Sequence, residues 1–159
     1  MKLLVIGSQL SGKTTLVRYL RKNTDIPVSE IDEEILNLNN NEWPKENKYK
    51  DEVLIPQIYG SVASRDGVIF FINSAFPTEL LRSFKDNDFK IILLKLSRDE
   101  INRRNAYRME YEGYDDAMQW IDGQLANHQK IRAQGFIDKA IDATGSTADV
   151  ANFLLSFED

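Results

Sequence analysis

Gly7-Ser8-Gln9-Leu10-Ser11-Gly12-Lys13-Thr14 is the stretch that decides how this 159-residue chain is read. Two glycines stand five positions apart, with a lysine and a threonine directly after the second. Gly7 and Gly12 permit backbone conformations and close approaches that a side chain would block. Main-chain N–H groups of such a loop, and of a helix opening behind it, converge on an anion and are helped by the positive end of the helix dipole. Lys13 supplies a point charge for phosphate oxygens, and the Thr14 hydroxyl suits a Mg²⁺ ligand. Ser8, Gln9, Leu10, Ser11 and Thr15 complete the candidate phosphate-binding set. The competing reading is an ordinary glycine turn beside an exposed lysine, yet chance yields only about 0.005 such octads per chain of this length.

Working outward, the octad leaves a predicted strand at Lys2–Ile6 and opens a predicted helix at Lys13–Lys22, where Leu16, Val17 and Leu20 share one face. Further strands are predicted at Ile26–Glu30, Gly67–Ile72, Phe89–Leu96 and Phe136–Ile141. Helical spacing marks Asp51–Ser64, Thr78–Lys85, Asp99–Tyr107, Asp115–Gln134 and Thr147–Phe157, with Ser146 as N-cap of the last. Five strands alternating with helices predict an α/β protein, a parallel sheet covered by helices on both faces. The polar stretch Asn37–Lys50, around Trp43-Pro44, is read as a surface loop or as a mobile substrate-side segment.

Composition bounds the function. The length is one domain's worth, with 42% hydrophobic and 28% charged residues. Twenty basic against twenty-five acidic residues leave a net charge of −5, which argues against a broad electrostatic grip on nucleic acid. Cysteine is absent, which excludes disulfides and thiolate metal sites and suits a reducing compartment. The longest apolar run, Val68 to Ile72, is too short to span a bilayer, and Met1–Ile6 is too short for a signal peptide. The expectation is a soluble, cytoplasmic protein without a membrane partner.

The octad in this strand–helix setting resembles the P-loop NTPases, and within them the small kinases that phosphorylate metabolites, nucleotides or nucleic-acid ends. The resemblance covers essentially the whole chain. It implies a three-layer sandwich with five parallel strands in the order 2-3-1-4-5, ATP with Mg²⁺ at the first strand, an acceptor region beyond the second and a lid after the fourth, at about 98–114. A guanine switch is disfavoured, because Leu94-Lys95-Leu96-Ser97-Arg98-Asp99 lacks the Asn of N-K-x-D, and the D-x-x-G match, Asp142 to Gly145, follows the last strand.

Glu30-x-Asp32 looks like a variant of the Asp-x-Asp pair in the shikimate kinase-like branch. That resemblance implies that Asp32 orients the acceptor and that Glu30 organises Mg²⁺ through water, with Thr14 as a direct ligand. The alternative is an acidic helix start favoured by the dipole. The third strand ends in Asn73-Ser74 where many relatives place a metal-holding Asp, which moves metal duty toward Thr14, Glu30 and Asp32. Asn73 and Ser74 are read either as acceptor contacts or as a polar turn before Pro77.

Arg104-Asn-x-x-Arg108 is similar to the lid of polynucleotide kinase-like enzymes, and i, i+4 spacing puts both guanidiniums on one helical face. The resemblance gives Lys13, Asp32, Arg104 and Arg108 catalytic roles, and places Ala143 and Thr144 in an adenine-side loop. Arg98 and Arg103 are read as solvated. His128 is read as a structural histidine and Trp120 as core; Tyr107, Tyr111 and Tyr114 either stack on a base or pack between helices. The function expected is γ-phosphoryl transfer from ATP to a small acceptor, a nucleotide or nucleoside first. Shikimate-like or sugar-like hydroxyls, a nucleic-acid end, and a regulatory ATPase without an acceptor are the alternatives.

Overall fold

The computed structural model describes residues 1–73 and 77–157. The strands are β1 (Lys2–Ile6), β2 (Val28–Glu30), β3 (Val68–Ile72), β4 (Lys90–Lys95) and β5 (Lys139–Asp142). They form one parallel sheet in the order β2-β3-β1-β4-β5, as expected. The helices are α1 (Lys13–Asn23), α2 (Ile31–Leu38), α3 (Asn47–Tyr49), α4 (Ile55–Ala63), α5 (Glu79–Asp86), α6 (Arg98–Tyr111), α7 (Met118–Ala133) and α8 (Thr147–Leu155). No described helix is long and apolar enough to cross a membrane.

Side-chain alternation along the strands builds two cores, one on each face of the sheet. Leu4, Ile6, Phe70, Ile72, Ile91 and Leu93 point to the face covered by α2, α4 and α5. Leu3, Val5, Ile69, Phe71, Ile92 and Leu94 point to the face covered by α1 and α8. In the first core Phe84 meets Tyr59 and Phe89 edge-to-face, at centroid separations of 5.3 and 5.0 Å. A third, small cluster joins Leu10 of the glycine loop to Ile101 of α6, Ala117 just before α7, and Ile121 of α7.

Several boundaries differ from the sequence reading, each for a local reason. β2 begins at Val28 rather than Ile26: Pro27 has no N–H to give, and its carbonyl accepts from Ile69 N at 2.9 Å. β5 begins at Lys139 rather than Phe136, because the Asp138 carboxylate accepts from Ile91 N at 2.7 Å and also binds Lys85. Asn37–Lys50 is not one loop: α2 runs to Leu38, and helical structure resumes at Asn47, passing through a π-helical turn at Lys50–Leu54 into α4. Between them Asn40 and Asn41 take left-handed conformations, with Asn41 N donating to Leu36 O at 2.7 Å. Gly113 (φ 68°) separates α6 from α7, and Ser146 caps α8 by accepting from Asp149 N at 3.1 Å.

Candidate functional site

The register brings three strand ends together. Ile6 of β1 pairs with Ile72 of β3, and Phe71 of β3 pairs with Glu30 of β2. Gly7 and Asn73, directly after β1 and β3, and Asp32, in the first turn of α2, therefore come together at the carboxyl edge of the sheet. This is where α/β sheets bind ligands, because helix N-termini and loops converge there.

The loop closes on itself. Ser11 Oγ donates to Ser8 O at 2.7 Å, and a Cβ on Gly7 would lie only 2.4 Å from that same Oγ. Leu10 (φ 69°) and Gly12 (φ 86°) are both left-handed, so the chain turns twice before α1 begins. Leucine pays a steric penalty in that conformation; here its side chain is buried in the third cluster. The Lys13 ammonium lies within the loop, donating to Gly7 O at 2.7 Å and Ser8 O at 2.8 Å. Burial lowers its pKa to about 8, against the pull of the Glu30 and Asp32 carboxylates.

Thr14 Oγ1 is 3.4 Å from Glu30 Oε1, so the first turn of α1 faces the end of β2. Both carboxyls are held above the ordinary range. Burial is the main cause for each; for Glu30 the neighbouring Asp32 and Glu33 charges add to it, and for Asp32 the Lys13 and Lys50 cations oppose it. Two carboxylates beside a threonine hydroxyl, Glu30 partly buried and Asp32 open to the cleft, suit a divalent cation. Mg²⁺ in particular binds through one or two carboxylates, phosphate oxygens and water. Among the described residues no cluster of three or more His, Cys, Asp or Glu could hold a metal by itself, so phosphate oxygens would have to complete such a site.

Arg104 spans the top of the loop. Its Nη1 donates to Leu10 O at 2.9 Å, its Nη2 to Ala143 O at 3.2 Å, and its Nε to Glu100 Oε1 at 2.8 Å. Glu100 is held down at about 2 by Arg103 and then Arg104. Arg108 faces the same cleft but binds elsewhere: its guanidinium lies 3.8 Å from the Tyr114 ring centre and 3.5 Å from a Glu112 oxygen. Arg98 pairs with exposed Asp122, and Arg103 is solvated beside Glu100. Ala143 is buried and its carbonyl is taken by Arg104, while Thr144 N donates to Asp142 Oδ1 at 2.8 Å in a tight turn. Asn73 lines the cleft; Ser74 lies outside the described residues.

The cleft encloses about 1610 Å³ between the loop, the end of β2, α6 and α7. Its α7 wall escaped the sequence reading. Trp120, expected in the core, is 48% exposed and faces the cleft. Gln124, one turn further, accepts through Oε1 from Gln9 N at 2.8 Å and so touches the loop directly. Buried Asn105 ties the lid together, donating to Asp116 at 2.8 Å and accepting from Ala117 N at 2.9 Å. The i, i+4 spacing of Trp120, Gln124 and His128 on one helical face was the available signal. His128 is buried as expected, and its pKa falls to about 4 through burial and then the charge of Lys13.

The sequence matches no protein-family model and no curated protein. Solved structures do match it over nearly all its length. Shikimate kinase from Aquifex aeolicus superposes with a TM-score of 0.73 at 17% identity, over 98% of this chain and 94% of that one. A gluconokinase from Sinorhizobium meliloti gives 0.64 at 16% identity, over 98% and 89%. The tunicamycin resistance protein of Deinococcus radiodurans gives 0.66 at 16% identity, over 98% and 95%. The chain thus has the fold of the small P-loop kinases, with the strand order that the resemblance implied.

Proposed function

We propose that the chain is an ATP-dependent phosphotransferase acting on a small hydroxyl-bearing acceptor, with a nucleoside or nucleotide first among the candidates. The observation that carries this reading is the meeting of Lys13, Thr14, Glu30 and Asp32 at one edge of the sheet, beneath Arg104. Kinase neighbours of the same fold support it, and the net charge of −5 favours a small acceptor over a nucleic-acid end. A cysteine-free chain suits the cytoplasm.

Each group then has a task. Loop amides and the α1 N-terminus hold the β- and γ-phosphates of ATP, and Lys13 exchanges its two carbonyl partners for phosphate oxygens. Thr14 and Glu30 would hold Mg²⁺, which when bound neutralises phosphate charge. Asp32 accepts the hydrogen bond of the acceptor hydroxyl and aligns its oxygen with the γ-phosphorus. The new P–O bond forms as the bond to the β–γ bridging oxygen breaks, ADP leaves, and the hydroxyl proton departs by way of Asp32. Arg104 and Arg108, on a lid spanning about 98–114, close over the reacting phosphoryl group and spread its charge.

Asp32→Asn tests this directly. Turnover with labelled ATP falls by about 10²-fold or more while ATP affinity by calorimetry stays within about threefold, the split expected of a group acting on the acceptor. Unchanged turnover would remove Asp32 from the reaction. The second reading, a regulatory ATPase, is favoured by Asn73 standing where a metal-holding Asp is usual. It predicts slow ATP hydrolysis with no product across an acceptor panel.

A further inference from the structure

Two choices along the cleft-facing edge of α7 are locally unfavourable. Trp120 leaves about half its surface in solvent, and Gly123, one turn on, sits inside a helix, where glycine is less stable than alanine. No packing demand explains the glycine, since a Cβ there would meet nothing within 4 Å. Both residues line the cleft together with Gln124. They form a shelf: an indole face, then a patch of bare backbone, then an amide.

The amide is half used. Gln124 Oε1 must face the Gln9 N–H, which turns Nε2 away from the loop, and Nε2 makes no hydrogen bond among the described residues. The Trp120 indole N–H likewise has no partner among them. An apolar plane with donors but no free acceptor of its own, the Gln124 Nε2 amide and the Trp120 indole N–H, fits a flat ring whose edge carries a carbonyl oxygen or ring nitrogen. A polyhydroxylated ring would ask for paired donors and acceptors along its whole rim; Trp120 and Gly123 offer it none, and the cleft's carboxylates, Glu30 and Asp32, lie at the phosphate-loop end, where one hydroxyl would reach them. Two further rings line the same cleft, Tyr107 and Tyr114, with the Arg108 guanidinium stacked on Tyr114.

We propose that the acceptor's base stacks on Trp120 across Gly123 and is read at its edge by Gln124 Nε2, so that the acceptor class is a nucleoside or nucleotide. This rests on the phosphotransferase reading above and assigns that site's acceptor wall. The Gln9–Gln124 bond ties the shelf to the phosphate loop, fixing the height of a stacked base relative to the γ-phosphate.

The test uses a Trp43→Phe background, in which Trp120 is the single tryptophan of the chain. The protein is first saturated with the β,γ-imido analogue of ATP and Mg²⁺. The five common nucleosides, their 5′-monophosphates, gluconate and shikimate are then titrated while Trp120 fluorescence is followed. At least one nucleoside or monophosphate quenches it, and the two hydroxy acids do not. Gly123→Leu, which adds bulk to the shelf and a better helix former, weakens that quench at least tenfold, whereas affinity for the analogue moves less than twofold. Gly123→Ala gives an intermediate effect, which guards against a folding artefact. In turnover assays the same variants raise the KM for the nucleoside and leave the KM for ATP in place.

Three outcomes overturn the inference while leaving the phosphotransferase reading intact. The analogue alone quenches Trp120 and nucleosides add nothing, which would make the shelf the donor's base site. Gluconate or shikimate is phosphorylated equally well by Trp120→Ala and by the unmutated protein. A nucleoside is phosphorylated, but Gly123→Leu does not change its KM. Failure to bind the analogue at all overturns both readings.

Discussion

Arg104 Nη1 donates to the carbonyl oxygen of Leu10 at 2.9 Å, so a lid-helix side chain grips the phosphate loop through a main-chain atom. The same guanidinium reaches Ala143 O on the far side of β4 and is aimed by Glu100. A planar fork can serve three acceptors in fixed directions, and an ammonium cannot. Arg104→Lys therefore keeps the charge but is expected to lower kcat/KM by about tenfold or more, and Arg104→Ala further. Steady-state kinetics on both variants decide it: a lysine variant with full activity would mean that charge alone matters at this position.

Gly7 is required for a different reason, the lack of room. The nearest atoms to a new Cβ are Ser11 Oγ at 2.4 Å and Ser11 Cβ at 3.1 Å. Ser11 cannot move without breaking its bond to Ser8 O, the bond that folds the loop. Gly7→Ala should destabilise the fold by about 1–3 kcal/mol in urea titrations and abolish nucleotide binding. Gly7→Ala with Ser11→Ala removes the worse contact and leaves the milder one, so the double variant is expected to regain part of the stability. A double variant no better than the single one would place the damage elsewhere.

How far the sequence could be read follows from how local each feature is. The octad is contiguous, and β1, β3 and β4 carry their two-faced pattern within five or six residues, so loop and sheet were legible, while the strand order followed only from the resemblance that the octad carries. That Asp32 lines the cleft was legible through the likeness of Glu30-x-Asp32 to an Asp-x-Asp pair, two positions past a strand end. The α7 wall was not. Gln124 meets Gln9 across 115 residues of chain, a pairing that only the tertiary fold creates. Trp120 misled because it adjoins Ile121 in an apolar pair, yet neighbours on a helix point about 100° apart. Ile121 is fully buried while Trp120 faces the cleft. The start of α7 serves the lid cluster and its end serves the sheet core, so no single stripe describes it.

Lys13 carries a pH prediction. Burial brings its pKa from the ordinary 10.5 to about 8 in the nucleotide-free protein, and a bound triphosphate would raise it again. Binding then takes up a proton at pH values above about 8, and affinity for the ATP analogue falls by up to tenfold per pH unit there. Below that pH the lysine is already charged and contributes no slope. Calorimetry at pH 9 in buffers of different ionisation enthalpy should show proton uptake, and Lys13→Met, titrated at analogue concentrations high enough to offset its weaker binding, should show none. Uptake that survives in the methionine variant would have to come from another group.

His128 carries the opposite kind of linkage, one of stability. It is buried, and burial, helped by the charge of Lys13, lowers its pKa from 6.5 to about 4. Between those values the unfolded chain holds a proton that the folded one refuses. Stability is therefore full above pH 6.5 and is lost as the pH falls toward 4, at no more than about 1.4 kcal/mol per unit for this group. Glu30 and Asp32, held high, act in the other direction, since the folded state accepts their protons more readily. The comparison that isolates the histidine is His128→Leu against the unmutated chain, by urea unfolding at pH 7, 6 and 5. The variant should lose stability at pH 7 through repacking, then hold its remaining stability better as the solution is acidified. Parallel curves for the two proteins would mean that His128 is not the group whose charging is resisted.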